Sequence, residues 1–243
     1  MDKKKIFILG FILLSFLLVI FLIEKNVVLA QVNKLPQSFL YLTWESNGIV
    51  PIDYQAKALP AQLAIIKVSV QPLIYSKGAY LNSDNWNYRW YIDNDLINEG
   101  VGLKEIRFTA DKFNGTSYVV KVKVLSPVSS TPFEKSITIN LANPLVFIKN
   151  SDTNSIIINT GVVNSDVVKL EAVPFFFSSY DANKFNYKWT INNKREIDFD
   201  NKKEIFVFNL EDNLETFPVK LVVEDVGKFI VRAETAININ FVK

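Results

Sequence analysis

The chain has 243 residues, 49% of them apolar and 13% aromatic, with no histidine and no cysteine. Catalytic triads, thiol redox sites and most zinc or copper sites need imidazole or thiolate groups, so this composition excludes them, together with disulfides. The formal net charge is +2, and no cluster of lysine and arginine forms the concentrated positive face that a nucleic-acid-binding protein needs. We therefore expect no enzyme, no nucleic-acid partner and no cofactor.

The first predicted element is an apolar helix near the amino terminus. It runs from Ile6 to Ile23, carries no charge and follows the basic residues Lys3, Lys4 and Lys5. At about 1.5 Å per residue such a helix spans about 27 Å, close to the thickness of the hydrocarbon core of a bilayer. Because basic flanks stay in the cytoplasm, this segment predicts a single-pass cell-membrane protein whose C-terminal domains are extracytoplasmic.

Two fates of residues 1–30 remain open. The segment is either a permanent signal anchor in the lipid bilayer or a signal peptide that is cleaved after Ala30, which would release a secreted chain. Val28, Leu29 and Ala30 suit a signal peptidase, whereas the apolar run is longer than the usual h-region of about 7–15 residues. In both cases residues 31–37 are predicted to be a linker.

The exported part of the chain contains an internal repeat. Residues 87–93 (Asn-Tyr-Arg-Trp-Tyr-Ile-Asp) return 99 positions later as residues 186–192 (Asn-Tyr-Lys-Trp-Thr-Ile-Asn). Residues 118–122 align with residues 217–221 at the same offset. This period is the length of a domain and exceeds the roughly 20–50 residues of solenoid repeats, so the repeat predicts duplication of a whole domain.

The repeated blocks have the alternation of β-strands. Tyr88, Trp90 and Ile92 alternate with more polar residues, which places one face of the strand on a core and the other in water. Short alternating segments between Asn, Asp, Gly and Ser turns are typical of immunoglobulin-like sandwiches. The predicted fold class is therefore all-β, with two tandem immunoglobulin-like β-sandwiches, at residues 38–142 and 143–243, preceded by one N-terminal transmembrane helix.

The strands are predicted in chain order from these alternations. The first sandwich is expected to have strands near residues 39–45, 64–71, 87–93, 103–109, 117–125 and 133–141. The second is expected to have strands near residues 145–149, 156–159, 167–173, 186–192, 203–209, 216–224 and 229–241. The seam at residues 141–144 is too short for a flexible linker, so we expect the sandwiches to sit end to end with limited freedom.

Two of these stretches carry a family resemblance. The Tyr-x-Trp-x-Ile strand and the later residues 219–227 (Val-Lys-Leu-Val-Val-Glu-Asp-Val-Gly) resemble polycystic-kidney-disease (PKD) type and related bacterial immunoglobulin-like domains. In this resemblance Trp189 stands for the core tryptophan, and the first copy matches at Tyr88 and Trp90. Such domains occur in surface proteins as spacers, adhesion modules and carbohydrate- or protein-binding appendages, which is the range of functions that the resemblance implies.

The aromatic residues of the repeated strand are predicted to be core residues. Tyr88 and Trp90 in the first copy correspond to Tyr187 and Trp189 in the second. A buried tryptophan on this strand recurs in immunoglobulin-type sandwiches. The alternative is that the tryptophans are platforms on which sugars stack.

Two acidic segments offer oxygen atoms to Ca²⁺. They are residues 93–95 (Asp-Asn-Asp) and 198–200 (Asp-Phe-Asp), and neither has the ligand spacing or the central glycine of an EF-hand loop. We interpret both as turns, because Asn and Asp form hydrogen bonds with their own backbone there. No metal site is predicted, and whether Ca²⁺ binds these turns stays open.

Two aromatic-rich loops are candidate partner contacts. The loop of the first copy holds Tyr75, Tyr80 and Trp86, and the second copy has the run Phe175, Phe176 and Phe177. Three consecutive phenylalanines cannot all point inward from one regular strand, so at least one is expected to be exposed or packed on a neighbour. Exposed apolar clusters mark interaction sites. The alternative for the phenylalanine run is packing within the junction between the sandwiches.

These features predict a structural or interaction protein of a bacterial cell surface. Its tandem domains would serve adhesion, or assembly of a secretion or pilus-type machine, through an envelope or surface protein as partner. The alternative is a module that binds carbohydrate or another extracellular ligand through its aromatic loops. A glycan binder should expose Trp or Tyr as a flat platform beside polar groups, whereas a protein-binding module should expose the phenylalanine run.

Overall fold

The structure is a computed structural model that describes residues 38–164, 167–179, 181–192, 194–195, 205–209, 216–227 and 231–242. In these ranges the chain forms β-strands and one short 3₁₀ helix, Ala182–Lys184. The predicted membrane segment from Ile6 to Ile23 and the acidic residues 198–200 lie outside them. Within the described ranges there is no helix that is both long and apolar enough to cross a bilayer.

The first half of the chain contains nine strands in the described residues. They are β1 (Phe39–Ser46), β2 (Ile65–Leu73), β3 (Tyr75–Ser76), β4 (Ala79–Tyr80), β5 (Asn87–Ile92), β6 (Asp95–Val101), β7 (Glu105–Thr109), β8 (Ser117–Leu125) and β9 (Phe133–Asn140). One sheet has the order β1-β2-β7 and a second has the order β6-β5-β8-β9. The strands β3 and β4 pair as a short hairpin.

The second half likewise contains nine strands in the described residues. They are β10 (Leu145–Asn150), β11 (Ser155–Ile157), β12 (Thr160–Val163), β13 (Val167–Phe175), β14 (Phe185–Ile191), β15 (Lys194–Arg195), β16 (Ile205–Asn209), β17 (Thr216–Asp225) and β18 (Arg232–Phe241). One sheet has the order β11-β10-β13-β16 and the other has the order β12-β18-β17-β14-β15. The pair β12–β18 is parallel.

The internal repeat is reproduced in the registers of the sheets. Trp90 on β5 lies opposite Val122 on β8, and Trp189 on β14 lies opposite Leu221 on β17. Equivalent residues of the two copies therefore occupy equivalent ladder positions. The strands form because β-branched and aromatic side chains alternate with polar ones, so that each sheet buries one face.

Each half buries its own apolar side chains between its two sheets. Tyr88, Trp90 and the inward-facing side chains of β8 (Tyr118, Val120, Val122 and Val124) are fully or almost fully buried in the first half. In the second half Tyr187 and Trp189 belong to a contiguous core that also includes residues of β10, β13, β17 and β18. The predicted fold class, all-β with tandem immunoglobulin-like sandwiches, is confirmed for the described residues, whereas the domain boundaries and the transmembrane helix remain predictions.

By its contacts the chain divides into two compact units. The smaller unit contains residues 1–39 and 72–81, and its described part is the β3–β4 hairpin with residues 38–39, 72–74 and 81. Within it, Ser38 Oγ accepts a hydrogen bond of 2.9 Å from the Tyr75 amide. The larger unit contains residues 40–71 and 82–243, and thus most of both halves.

Most predicted strands coincide with observed ones to within a few residues, and the main difference is β6. The residues of β6 do not alternate in polarity, because this edge strand exposes nearly all its side chains. It forms because Asp93 and Asn94 make a two-residue turn with φ angles of 51° and 78°. Two positive φ angles are the requirement of the type I′ turn that closes tight hairpins.

Candidate binding surfaces

The tryptophans of the repeat lie in the interior. Trp90 is fully buried, and its indole Nε1 donates a hydrogen bond of 2.8 Å to the Leu103 carbonyl oxygen. The hydroxyl group of Tyr88 donates a hydrogen bond of 2.9 Å to the Ser83 carbonyl oxygen, and burial raises its pKa. Trp189 and Tyr187 are buried in the second core. None of the four presents a flat platform to solvent.

The aromatic residues of the first candidate loop have different environments. Trp86 is buried, which corrects the hypothesis that it is a surface contact. Its burial follows from the loop turning back on itself, since the Trp86 amide donates to the Ser83 carbonyl oxygen and the Trp86 carbonyl oxygen accepts from the Gly102 amide. In the small unit, the rings of Tyr75 and Tyr80 meet edge to face at 5.5 Å between centroids, and Tyr80 is exposed.

The phenylalanine run is internal rather than a free surface. Phe176 and Phe177 are buried, and Phe175 is half-buried. The backbone of Phe176 has a φ of 60°, which interrupts the alternation of β13 and turns two consecutive phenylalanines away from solvent. Both Phe175 and Phe176 meet the ring of Tyr54 edge to face, at 5.8 and 5.9 Å. The hypothesis of an exposed phenylalanine patch is thus corrected, and the junction alternative describes what is observed.

The segment that covers the phenylalanine run is residues 47–64, which we call the strap. It has no regular strand or helix and connects β1 to β2. The Phe176 amide donates a hydrogen bond of 2.7 Å to the Ile49 carbonyl oxygen, and the Ile49 amide donates one of 3.0 Å to the Phe177 carbonyl oxygen. The side chains of Ile49 and Leu63 pack against the core of the second half.

The strap also forms hydrogen bonds with the first half. The Leu63 amide donates to the Ala110 carbonyl oxygen at 2.6 Å, and the Ala142 amide donates to the Pro60 carbonyl oxygen at 2.8 Å. Ser46 Oγ donates to the Ala58 carbonyl oxygen at 2.7 Å. The strap therefore joins the two halves through backbone bonds on both sides. Sequence patterns did not indicate this role, because the segment has no hydrophobic period.

One surface of the second half exposes several aliphatic side chains. It is the outer face of the sheet β11-β10-β13-β16, which we call the apolar face. A row across its four strands reads Ile156, Lys149, Glu171 and Ile205. Lys149 and Glu171 form an ion pair of 2.8 Å. The exposed aliphatic side chains of this face are Leu145, Ile156, Val167, Ile205 and Val207. Lys169 lies on the same face opposite Val207 and pairs with Asp152 at 3.8 Å.

A second surface feature is a groove between β1, β2 and the strap. It has a volume of about 430 Å³, which lies in the range of ligand sites, about 300–1,000 Å³. We call it the Trp44 groove. Its lining residues are Thr43, Trp44, Glu45, Ser46, Lys57, Ala58, Lys67 and Ser69. Sequence patterns did not indicate it, because only the path of the strap brings Lys57 to Trp44.

Two lysines give the Trp44 groove its charge. The Lys57 ammonium lies 5.1 Å from the centroid of the Trp44 ring and donates hydrogen bonds of 2.9 Å to Thr43 Oγ1 and to the Trp44 carbonyl oxygen. Lys67 forms an ion pair of 2.5 Å with Glu45. The hydrogen bond and the positive charge of Lys67 lower the pKa of Glu45, so that this carboxylate stays ionised near neutral pH.

The acidic turn at residues 93–95 is held by protein contacts. Asp93 Oδ1 accepts a hydrogen bond of 3.0 Å from the Val119 amide, and Asp93 Oδ2 forms an ion pair of 2.7 Å with Lys112. Burial raises the pKa of Asp93, but the hydrogen bonds from Lys112 and Val119 outweigh it and lower the pKa overall. Across the described ranges, no three acidic, His or Cys side chains are grouped as metal ligands would be.

The similarity of the chain to known proteins is limited to structure. No protein-family model matches it, and no curated protein matches it. Among solved structures, the three N-terminal domains of the highly immunogenic outer capsid protein (Hoc) of bacteriophage RB49 are 13% identical, with a TM-score of 0.44. That match covers 84% of this chain, which spans only 59% of the length of the capsid protein structure.

Two other solved structures are similar at the same low level. The fibronectin(III)-like modules of Clostridium thermocellum CbhA are 12% identical over 80% of this chain and 93% of theirs, with a TM-score of 0.26. A C-terminal fragment of intimin, in complex with the intimin-binding domain of its translocated receptor, is 11% identical over 81% of this chain and 63% of its own, also with a TM-score of 0.26. At these scores the comparisons carry no argument about a site.

Proposed function

We propose that the chain is an exported, membrane-anchored interaction protein without enzymatic activity. Its tandem sandwiches bind an envelope or cell-surface protein, in adhesion or in envelope assembly. The observation that carries this proposal is the apolar face, where five exposed aliphatic side chains lie among the Lys149–Glu171 and Lys169–Asp152 ion pairs. Contiguous exposed apolar surface is rare on monomeric proteins and marks sites of protein association.

The composition of the apolar face fits a protein partner. The aliphatic side chains of Ile156, Val167, Ile205 and Val207 are between 38% and 49% exposed. A bound partner would remove this apolar area from water. The Lys149–Glu171 pair lies in their midst with both side chains about three-quarters covered. Lys169, opposite Val207 on the same face, pairs with Asp152, so the charges of the face are paired. A surface that is mostly apolar and close to neutral suits the centre of a protein–protein interface.

The strap supports the display of this face. Backbone hydrogen bonds from residues 47–64 reach Phe176 and Phe177 on one side and Ala110 and Ala142 on the other. A junction with bonds to both halves loses less conformational freedom when a partner binds than a flexible linker does, and preorganisation of this kind favours affinity.

Export and the absence of catalysis rest on the sequence. The apolar segment from Ile6 to Ile23 after three lysines supports a membrane anchor with the sandwiches outside. The lack of His and Cys supports a role without nucleophilic or metal-dependent chemistry. Alkaline carbonate washing of membranes from the host tests the anchor, and protease treatment of spheroplasts tests whether the sandwiches lie outside the membrane. Recovery of the chain in the cytosol would contradict it.

The partner is tested by cross-linking the tagged full chain in intact host cells. The chain is purified from detergent-solubilised membranes, and captured proteins are identified by mass spectrometry. We expect a specific envelope protein with the wild type and its loss with Ile156→Glu, which places a carboxylate on the apolar face.

The matched control is Ile97→Glu. Ile97 lies on the edge strand β6 of the other half and is 49% exposed, against 48% for Ile156 on the edge strand β11. Thermal unfolding of both variants checks that they fold. Equal capture by the wild type and both variants would exclude the apolar face as the contact.

A further inference from the structure

We propose that the Trp44 groove binds an acidic saccharide, with the sugar carboxylate at Lys57 and sugar hydroxyl groups at the Glu45–Lys67 pair. The groove belongs to the first half, and the apolar face belongs to the second. The proposal therefore does not depend on the protein partner, and variants of one surface leave the other unchanged.

Lys57 is a positioned cation with a free donor. An ammonium group has three N–H donors, and two of them are directed at Thr43 Oγ1 and the Trp44 carbonyl oxygen. Both acceptors are neutral, and among the described residues no carboxylate lies within ion-pair distance of Lys57. Because the ring of Trp44 also lies beneath the ammonium, its position is set before a ligand arrives. A ligand carboxylate would receive the third N–H in a charge-assisted hydrogen bond.

The Glu45–Lys67 pair suits neighbouring hydroxyl groups. It places a carboxylate acceptor next to an ammonium donor, 2.5 Å apart. A sugar hydroxyl both donates and accepts, so adjacent hydroxyls of one ring can bond Glu45 and Lys67 together. The hydroxyl group of Ser69 lines the same groove and adds a further donor and acceptor.

Trp44 supplies the apolar part of the site. Its side chain is half-buried at the end of β1, where the strap leaves the groove open. Lys57 covers one part of the ring, and the C–H groups of a sugar ring would pack on the part that the groove exposes. The combination of an aromatic body with polar groups at its rim is the usual lining of a ligand site.

The charge of the groove selects a ligand with a single negative charge. Lys57 and Lys67 carry two positive charges and Glu45 carries one negative charge, so the net charge of the lining is +1. A polyphosphate would need more cations. A peptide that adds a strand to β1 would have to displace Lys57 from the Trp44 carbonyl oxygen. An acidic saccharide can bind to Lys57 and the Glu45–Lys67 pair without displacing either from its present contacts.

The test is calorimetric titration of the full chain, in detergent, with trisaccharides that end in galacturonate, glucuronate or sialic acid. We expect at least one to bind, and its carboxyl methyl ester to bind about tenfold more weakly or worse. Lys57→Gln and Glu45→Gln should each reduce the affinity by about tenfold. The matched control is Lys135→Gln, which removes an exposed ammonium group on β9 and should leave binding unchanged.

Three results would overturn the proposal. The first is the absence of binding by all three trisaccharides at a ligand concentration of about 10 mM, at which a dissociation constant of several millimolar is still detected. The second is equal affinity of the wild type and Lys57→Gln. The third is binding of a peptide with a free terminal carboxylate, abolished by Lys57→Gln, while no saccharide binds; this would assign the groove to a peptide.

Discussion

The backbone amide of Phe176 donates a hydrogen bond of 2.7 Å to the carbonyl oxygen of Ile49. This bond joins the strap of the first half to the end of β13 in the second half. Phe176 has a φ of 60°, a conformation that costs a bulky residue about 1–3 kcal/mol and persists only where surrounding contacts offset that cost. The hydrogen bond and the ring of Tyr54 hold it here.

Shortening the side chain of Ile49 should weaken this junction. Ile49 is partly buried and packs against the core of the second half, so Ile49→Ala should lower the free energy of unfolding by about 2 kcal/mol, at the low end for buried isoleucines. Urea denaturation measures the loss. Ile52→Ala is the control in the same strap, because Ile52 is fully exposed and its loss should cost less than about 0.5 kcal/mol. Equal losses in the two variants would show that Ile49 does not anchor the strap.

Gly102 and Gly115 should respond differently to alanine. Both have positive φ angles, 70° and 82°, so each alanine carries backbone strain of about 1 kcal/mol. A Cβ atom on Gly102 would also lie 2.7 Å from the Asp84 carbonyl oxygen, whereas one on Gly115 would have nothing within 4 Å. We therefore expect Gly102→Ala to lower the thermal midpoint clearly more than Gly115→Ala. Equal losses would mean that the loop that holds Asp84 moves aside without cost.

Trp90→Phe should destabilise the chain although the substituted side chain stays aromatic. It leaves a void in a fully buried site and removes the 2.8 Å bond to the Leu103 carbonyl oxygen. Together these changes should lower the free energy of unfolding by about 2–3 kcal/mol. Chemical denaturation followed by circular dichroism measures the change. A loss below about 0.5 kcal/mol would contradict the structural role of this indole.

Tyr118 should make stability depend on alkaline pH. Burial, followed by the 2.6 Å hydrogen bond to Asp111, raises its pKa from 10.0 to about 12. Because the pKa is higher in the folded state, this contribution to stability is complete below pH 10 and is lost as pH rises through about 12. Tyr118→Phe should cost about 1–2 kcal/mol at neutral pH and should flatten the decline of stability above pH 10. Urea midpoints between pH 8 and 11.5 measure it, and an unchanged slope in the variant would contradict the assignment.

The strands were predictable where alternation and burial agree. Tyr88, Trp90 and Ile92 point to one face in the sequence and are all buried in the structure. The recurrence of this pattern at residues 187, 189 and 191 indicates the duplication from the sequence alone. By contrast, β6 escaped prediction because an edge strand that exposes Leu96 and Ile97 has no buried face to impose a pattern.

The candidate sites were much less predictable than the fold. The phenylalanine run was expected to provide an exposed contact, but the turn at Phe176 and the cover from Tyr54 withdraw it from solvent. Trp44 and Lys57 carry no local motif that relates them. Their contact exists because the strap crosses the end of β1, and such a path depends on bonds to residues distant in the sequence.

The sequence by itself determined the all-β class, the tandem repeat and the buried tryptophans, because a strand with one buried face alternates apolar and polar residues along the sequence. Only the tertiary structure decided how the strap runs and which side chains it covers. The Ile49–Phe176 bond and the Trp44 groove arise from contacts between segments with no regular period. Such contacts join segments that are distant in the sequence and produce no local pattern of residues, so only the folded structure reveals them.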